Sequence, residues 1–158
     1  MGKIIKENKI MEDEKSKSGF AIRVRAIVMN DGNLLVVKNS GNNFFALPGG
    51  NLDPGEDIKK CLEREIVEEL GVSPDTGRLL YINNFTDKNG LSSIDFFFEV
   101  KNGKDFVNCE KLNRTHAHEI DSLVWASIND NIKIMPESFA KDFKVGKIIS
   151  DVVRFIKD

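Results

Sequence analysis

Between Asp57 and Gly71 the chain carries a helix whose acids stand on the wrong side. At about 100° per residue, Ile58, Leu62, Ile66 and Leu70 form an apolar arc flanked by Cys61. Glu65 and Glu69 fall inside that arc, and Glu68 lies just outside it on the same flank. Glu63 falls beyond the opposite edge of the arc, just past Leu70. The pairs Glu65–Glu69 and Glu65–Glu68 repel at helical spacing, costing a few tenths of a kcal/mol each. The helix dipole disfavours Glu68 and Glu69 in the last turn by about 0.3–1 kcal/mol apiece. Partial burial adds desolvation. A fold that tolerates roughly 2 kcal/mol of such conflict, against a total stability of about 5–15 kcal/mol, is expected to use the conflict.

A divalent cation would relieve it. Three carboxylates without neighbouring His or Cys are hard oxygen ligands, suited to Mg²⁺ or Mn²⁺ rather than zinc. Mg²⁺ keeps several waters and shares phosphate oxygens with its substrate, so the helix points to phosphate esters or diphosphates. The competing reading is a solvated acidic face neutralised by nearby Lys or Arg.

The remainder reads as strands around this helix. Phe20, Ile22, Val24, Ala26 and Val28 alternate with Arg23 and Arg25. Asn30-Asp31-Gly32-Asn33 then turns the chain into a second strand at Leu34–Lys38, giving a hairpin. Phe44–Leu47 is a short apolar segment halted by Pro48-Gly49-Gly50. Strands are expected at 78–86 and 93–100 around the Asp87–Gly90 turn, and at 120–128 around Trp125. Apolar residues at 145, 148, 149, 152 and 156 predict a C-terminal amphipathic helix over 145–156. Strands, a central helix, more strands and a closing helix predict an α/β or α+β fold with a mixed sheet covered by helices. Residues 1–19 read as a charged arm preceding one domain over 20–158.

Composition excludes several functions. The 158 residues carry 23 basic and 25 acidic side chains, a net charge of −2. No basic excess is available for a nucleic-acid duplex. Apolar runs are far shorter than the ~20 residues of a membrane span, and the N-terminal stretch lacks a signal-peptide core. Cys61 and Cys109 are isolated, which favours a reducing, cytoplasmic setting over a disulfide framework.

The acidic helix belongs to a longer motif. Gly50, five residues, Glu56, seven residues, then Arg64-Glu65-Ile66-Val67-Glu68-Glu69-Leu70-Gly71-Val72 resembles a complete Nudix box, with chance occurrence on the order of 10⁻⁹ per start point. Leu47-Pro48-Gly49-Gly50, the strand order and the Trp125 strand also resemble the Nudix hydrolases. The resemblance implies an α/β/α sandwich around a mixed sheet. It implies a metal-dependent hydrolase that cleaves the diphosphate linkage of a nucleoside diphosphate joined to another moiety, by attack of an activated water on phosphorus. Glu65, Glu68 and Glu69 would be the metal ligands, with the Gly50 carbonyl, and Mg²⁺ or Mn²⁺ the cofactor. Arg64 would orient Glu65, Glu56 would support the loop–helix geometry, and Gly71 would end the helix. The general base would be Glu69 or Glu68, with Glu119, six residues before Trp125, as runner-up or extra ligand and Glu110 and Glu99 as weaker candidates.

Arg23 and Arg25 are candidates for holding substrate phosphates, against the plain reading of a solvated strand face. His116-Ala117-His118-Glu119 is read as an exposed loop beside the site rather than a zinc site. Phe44 and Phe45 are read as core rather than base-stacking, Phe96, Phe98 and Trp125 as packed, and Cys61 as a small buried hydrophobe. The expected partner is a small nucleotide diphosphate derivative, with no membrane involved and a homodimer left open. The family's Pro and Tyr marks for ADP-ribose and dinucleoside polyphosphates are absent around Asp87–Gly90. Tyr81 lies too near the box to serve as one. The alternative is a non-catalytic Nudix-fold module that senses a nucleotide, and a weaker one is isomerase chemistry on isoprenoid diphosphates.

Overall fold

The computed structural model describes residues 19–112 and 115–158; the charged arm assigned to 1–19 lies outside these except for Gly19. Strands β1 (Phe20–Asn30) and β2 (Asn33–Asn39) form the hairpin expected at Asn30–Asn33. Short strands β3 (Phe45–Ala46) and β4 (Gly49–Asn51) follow, then helix α1 (Ile58–Leu70). Next come β5 (Thr76–Thr86), β6 (Ser92–Val100), β7 (Ile120–Ala126), β8 (Ile134–Met135), helix α2 (Glu137–Lys144) and β9 (Arg154–Lys157). Among the described residues, the nine strands form a mixed, curled sheet in the order β8-β3-β2-β1-β6-β5-β9, with β4 joined to β1 and β7 to β2. Parallel pairing of β1 with β6, beside antiparallel pairing of β5 with β6, makes it mixed.

Strand alternation separates two cores. Val24, Ala26 and Val28 of β1, Leu35 and Val37 of β2, and Phe98 and Val100 of β6 pack with Cys61, Leu62, Ile66 and Leu70 of α1. The residues between them (Ile27, Leu34, Val36 and Phe97) pack with Leu80, Tyr81, Phe139 and Phe143 on the side of α2. A period of two sends successive side chains to opposite faces, so one sheet serves both helices. The chain therefore has the α+β architecture expected of it, a mixed sheet between two helices.

The second helix is not where the periodicity placed it. Residues 145–156 contain no helix, and α2 lies one step earlier, where Phe139 and Phe143 at i,i+4 are both buried. The chain turns out of α2 at Gly146, whose φ of +69° is left-handed. Gly146 N–H donates to the Phe143 carbonyl (3.0 Å) and Lys147 N–H to the Asp142 carbonyl (2.8 Å), a glycine-closed helix end. Of the apolar residues that suggested the helix, Val145, Ile149 and Val152 are exposed and Ile148 is buried. The last three residues of the pattern, 154–156, extend instead within β9, parallel to β5.

Candidate active site

The site is assembled where the Pro48–Asn51 backbone crosses between β1 and α1. Asp57 caps α1, its Oδ1 accepting from the amides of Lys59 (3.0 Å) and Lys60 (3.1 Å). Gly71, at φ +74°, ends the helix, its N–H donating to the Val67 carbonyl. These ends fix the rotation of α1, and with it the positions of its acids.

Glu69 is almost completely buried at 5% exposure, and its Oε2 accepts from the Gly49 amide (3.0 Å). Burial pushes its carboxyl up to about 7; attraction from Arg25 and the Gly49 hydrogen bond oppose the rise, while Glu65 and Glu119 add to it. Those influences place Glu65 and Glu119 close enough to feel its charge. Gly49 has no room for a side chain, since a Cβ would stand 2.0 Å from the Val24 carbonyl oxygen, and its φ is +144°. A Cβ on Gly50 would meet the Glu65 carboxylate at 2.3 Å. Glu65 therefore rests directly on the Gly50 α-carbon.

Arg64 organises the other acids. Its Nε and Nη2 grip the Glu56 carboxylate (2.8 and 3.0 Å), while Nη1 reaches Glu65 (2.8 Å) and Glu68 (3.3 Å). Nη2 also donates to the Asn51 carbonyl (3.1 Å). Glu56 Oε2 accepts from the Asp53 amide (3.1 Å), so the loop is tied to the helix through one guanidinium. The Arg64 hydrogen bonds hold the Glu56 carboxyl down at about 2 and raise the Arg64 pKa in return. The expectation that nearby cations neutralise these acids is thus partly met at Glu65 and Glu68. Cys61 is buried, with Sγ 3.4 Å from the Asn51 carbonyl, and burial pushes its thiol up to about 12.

Glu119 ends a short 3-10 turn (Ala117–Glu119) that backs onto α1: the His116 amide donates to the Glu68 carbonyl (2.9 Å), and His116 Nδ1 lies 3.1 Å from Glu68 Oε2. Ser40 N–H holds the Glu119 carbonyl (3.1 Å). The other base candidates have different surroundings. Glu99 takes a bond from Arg78 (3.4 Å) on β5, and Glu110 sits in the turn Cys109–Lys111.

Both strand arginines are engaged within the protein. Arg23 forms a two-point pair with Asp95 (2.6 and 2.7 Å). Arg25 Nη1 donates to the Leu47 (3.3 Å) and Gly49 (3.2 Å) carbonyls, which braces the backbone under Glu69. Desolvation, then repulsion from Arg23, lowers the Arg25 pKa. Beside them opens a cleft of about 280 Å³, at the small end of ligand sites. Phe44 lines the cleft, whereas Phe45 packs on the α2 core and Trp125 on the α1 core. Phe98 is buried and Phe96 half-buried on the α1 side, as their alternation implied.

Asn39, Asn83 and Asp95 also line this cleft and were not singled out from sequence. Asp95 had a signal, an acid within the apolar run Ser93–Val100, but its partner Arg23 lies 72 residues away and is brought opposite only by the β1–β6 pairing.

The oxygen donors fit a divalent ion in kind: Glu65 against Gly50, Glu69 on Gly49, and Glu119 within electrostatic reach. Among the described residues, no three His, Cys, Asp or Glu side chains are already gathered into a metal cage.

The sequence model of the NUDIX domain matches residues 19–144. The chain is 34% identical over 90 residues to an ADP-ribose pyrophosphatase of Methanocaldococcus jannaschii, covering 53% of each protein. It is 32% identical over 66 residues to an RNA pyrophosphohydrolase of Pasteurella multocida, covering 41% of this chain and 33% of that protein. It therefore spans about half and about a third of the lengths of these relatives. The fold matches a MutT NUDIX hydrolase from Burkholderia pseudomallei with a TM-score of 0.66 at 21% identity, over 80% of this chain and 97% of that one. At that identity the match speaks for the fold alone. With a domain match over most of its length and the box intact on α1, the chain belongs to the Nudix hydrolase family.

Proposed function

We propose that the protein is a divalent-metal pyrophosphohydrolase acting on a small molecule in which a nucleoside diphosphate is joined to another group. The observation that carries this is Glu69, a carboxylate buried on a backbone amide beside Glu65 and Glu119, with every fixed position of the box filled. Glu65, Glu68, Glu69 and the Gly50 carbonyl are the ligands we assign, with Mg²⁺ or Mn²⁺ as the ion. When bound, the ion would withdraw charge from the phosphate oxygens and lower the pKa of an attacking water.

The protein's own groups do the rest. Arg64 holds Glu65 and Glu68 at a fixed orientation through its grip on Glu56. Arg25 keeps the Leu47–Gly49 backbone against Glu69. Glu69 is the ligand we also assign as general base; in the metal-free protein burial pushes its carboxyl up to about 7. Glu119, whose charge is felt at Glu69, is our candidate for a second base or ligand. Arg23 and Arg25 add positive charge to the cleft lining, where we place substrate phosphates.

The names of the relatives suggest ADP-ribose or a triphosphorylated RNA end as the compound cleaved. The modest cleft and the net charge of −2 favour the small molecule. No helix among the described residues is long and apolar enough to cross a membrane. Cys61 and Cys109 are both buried and neither is in a disulfide, which supports a reducing, cytoplasmic setting. We take residues 20–158 as one domain.

The test is a turnover screen of ADP-ribose, nucleoside triphosphates, sugar nucleotides and triphosphorylated RNA with Mg²⁺ or Mn²⁺. Activity on at least one compound, abolished by EDTA, is expected. Tight binding without turnover of any compound would instead establish a nucleotide-sensing module.

A further inference from the structure

The turn that leads into β7 is tied down at both ends. The His116 amide donates to the Glu68 carbonyl (2.9 Å). That oxygen belongs to the last turn of α1, where carbonyls have no partner within the helix, so the turn completes the helix end. At its other end the turn is held to the residue just after β2. Ser40 N–H donates to the Glu119 carbonyl (3.1 Å), and Ser40 Oγ to Asp121 Oδ1 (2.8 Å). Glu119 N–H closes the turn itself on the His116 carbonyl (3.1 Å). His116 is thus the point at which the backbone carrying Glu119 joins the helix carrying Glu65, Glu68 and Glu69.

The side chain of His116 meets Glu68 a second time. Its Nδ1 lies 3.1 Å from Glu68 Oε2, the same oxygen that Arg64 Nη1 reaches at 3.3 Å. Two nitrogens from different elements therefore hold one oxygen of the carboxylate, and the other, Oε1, takes neither. A carboxylate held in this way loses its freedom to turn, so Oε1 keeps one orientation. The contact needs no charge on the ring, since a neutral imidazole donates from one of its nitrogens. Both side chains are partly buried. The neighbouring histidine does not compare: His118 Nε2 stands 3.9 Å from Glu119 Oε1 with both side chains exposed, and exposed pairs contribute little.

We propose that His116 is a positioning residue of the metal site, whose imidazole fixes the Glu68 carboxylate in the orientation that receives the ion. This rests on the reading of Glu65, Glu68 and Glu69 as ligands of a divalent cation. Ligating carboxylates are held from behind by groups that do not touch the metal, and loss of such a group weakens metal affinity by about 10–100-fold. Arg64 is one such group and comes from α1 itself. His116 is the second, and it comes from the turn before β7, so the helix and that turn set the Glu68 carboxylate together.

The experiment reads Mn²⁺ binding without substrate, by electron paramagnetic resonance of the free ion, and turnover separately. Every variant named keeps the backbone bond from residue 116 to Glu68, so the comparison isolates the imidazole. His116→Ala should weaken Mn²⁺ binding by ~10-fold or more. Turnover lost at limiting metal should return as Mn²⁺ is raised. His116→Asn, whose Nδ2 takes the place of Nδ1, should bind Mn²⁺ within ~3-fold of the unmodified protein, a rescue that a merely space-filling role would not show. Should His116→Ala fail to fold, His116→Phe keeps the bulk of the ring without its donor and should show the same loss. Unchanged Mn²⁺ binding in the Ala or Phe variant, an Asn variant as weak as either, or a loss of turnover that metal does not recover would overturn the proposal while leaving the hydrolase reading intact. Absence of Mn²⁺ binding by the unmodified protein would remove the metal reading itself, and this inference with it.

Discussion

Glu69 is the residue in which conflicting demands meet. It is buried in the last turn of a helix, near two other carboxylates, on a backbone amide. Its folded pKa, up at about 7, lies above the ~4.5 of an exposed glutamate. Between those values the folded metal-free protein holds a proton that the unfolded chain has released. Its stability should therefore fall as pH rises from about 4.5 to 7 and level off above that. Urea melts of the EDTA-treated protein across this range should show the decline, and Glu69→Gln should flatten it. In turnover, Glu69→Gln is expected to cost at least ~10²-fold, as befits loss of a general base. Full activity in that variant would move the base to Glu68 or Glu119. Glu69 could be placed in the interface from helical spacing alone, because Leu62, Ile66 and Leu70 surround it. Its hydrogen bond to Gly49 could not, since that depends on how β4 lies over α1.

At the level of elements, α1 is a helix set by its ends and by one arginine. Removing the cap in Asp57→Ala should lower stability by about 1 kcal/mol, read by thermal or chemical denaturation. Arg64 ties loop to helix through Glu56 and Glu65, so Arg64→Gln should leave Glu65 and Glu68 repelling each other without their bridge. We expect a weaker apparent affinity for Mg²⁺ in titrations of activity, with a smaller loss at saturating metal. A loss that metal cannot recover would assign Arg64 to substrate rather than to its acids. The element that escaped the sequence is α2. Its two buried phenylalanines at i,i+4 are a weak helical signal in eight residues, whereas 145–156 shows a longer and better apolar spacing. Gly146 and the unpaired edge of β5 decide the matter: the first turns the chain out of the helix, and the second accepts β9.

Across the whole molecule, one sheet supports two cores and two sites of different character. The acids lie beside α1, while the cleft with its carboxamides opens on the side of α2. Millimolar Mg²⁺ should raise the melting temperature, since an ion held only by the folded carboxylates stabilises that state by mass action; an unchanged melting curve would count against a preformed metal site. Phe139, buried against Tyr81 and Phe97, anchors the second core. Phe139→Ala should cost about 3–5 kcal/mol. Phe155, 79% exposed, should tolerate serine within about 0.5 kcal/mol. Equal losses in the two variants would mean that the face carrying Phe155 is covered in solution.

The sequence by itself determined the acidic helix, the glycine that ends it, the hairpin at Asn30–Asn33 and the box that places the chain in its family. These are properties of residues within about 25 positions of one another, where periodicity, turn chemistry and capping act directly. Only the tertiary structure decided that the Glu119 charge is felt at Glu69, that Asp95 takes the Arg23 guanidinium, and that Asn39 and Asn83 line one cleft. Those relations join residues on different strands, and strand register is a choice made by packing the whole sheet at once.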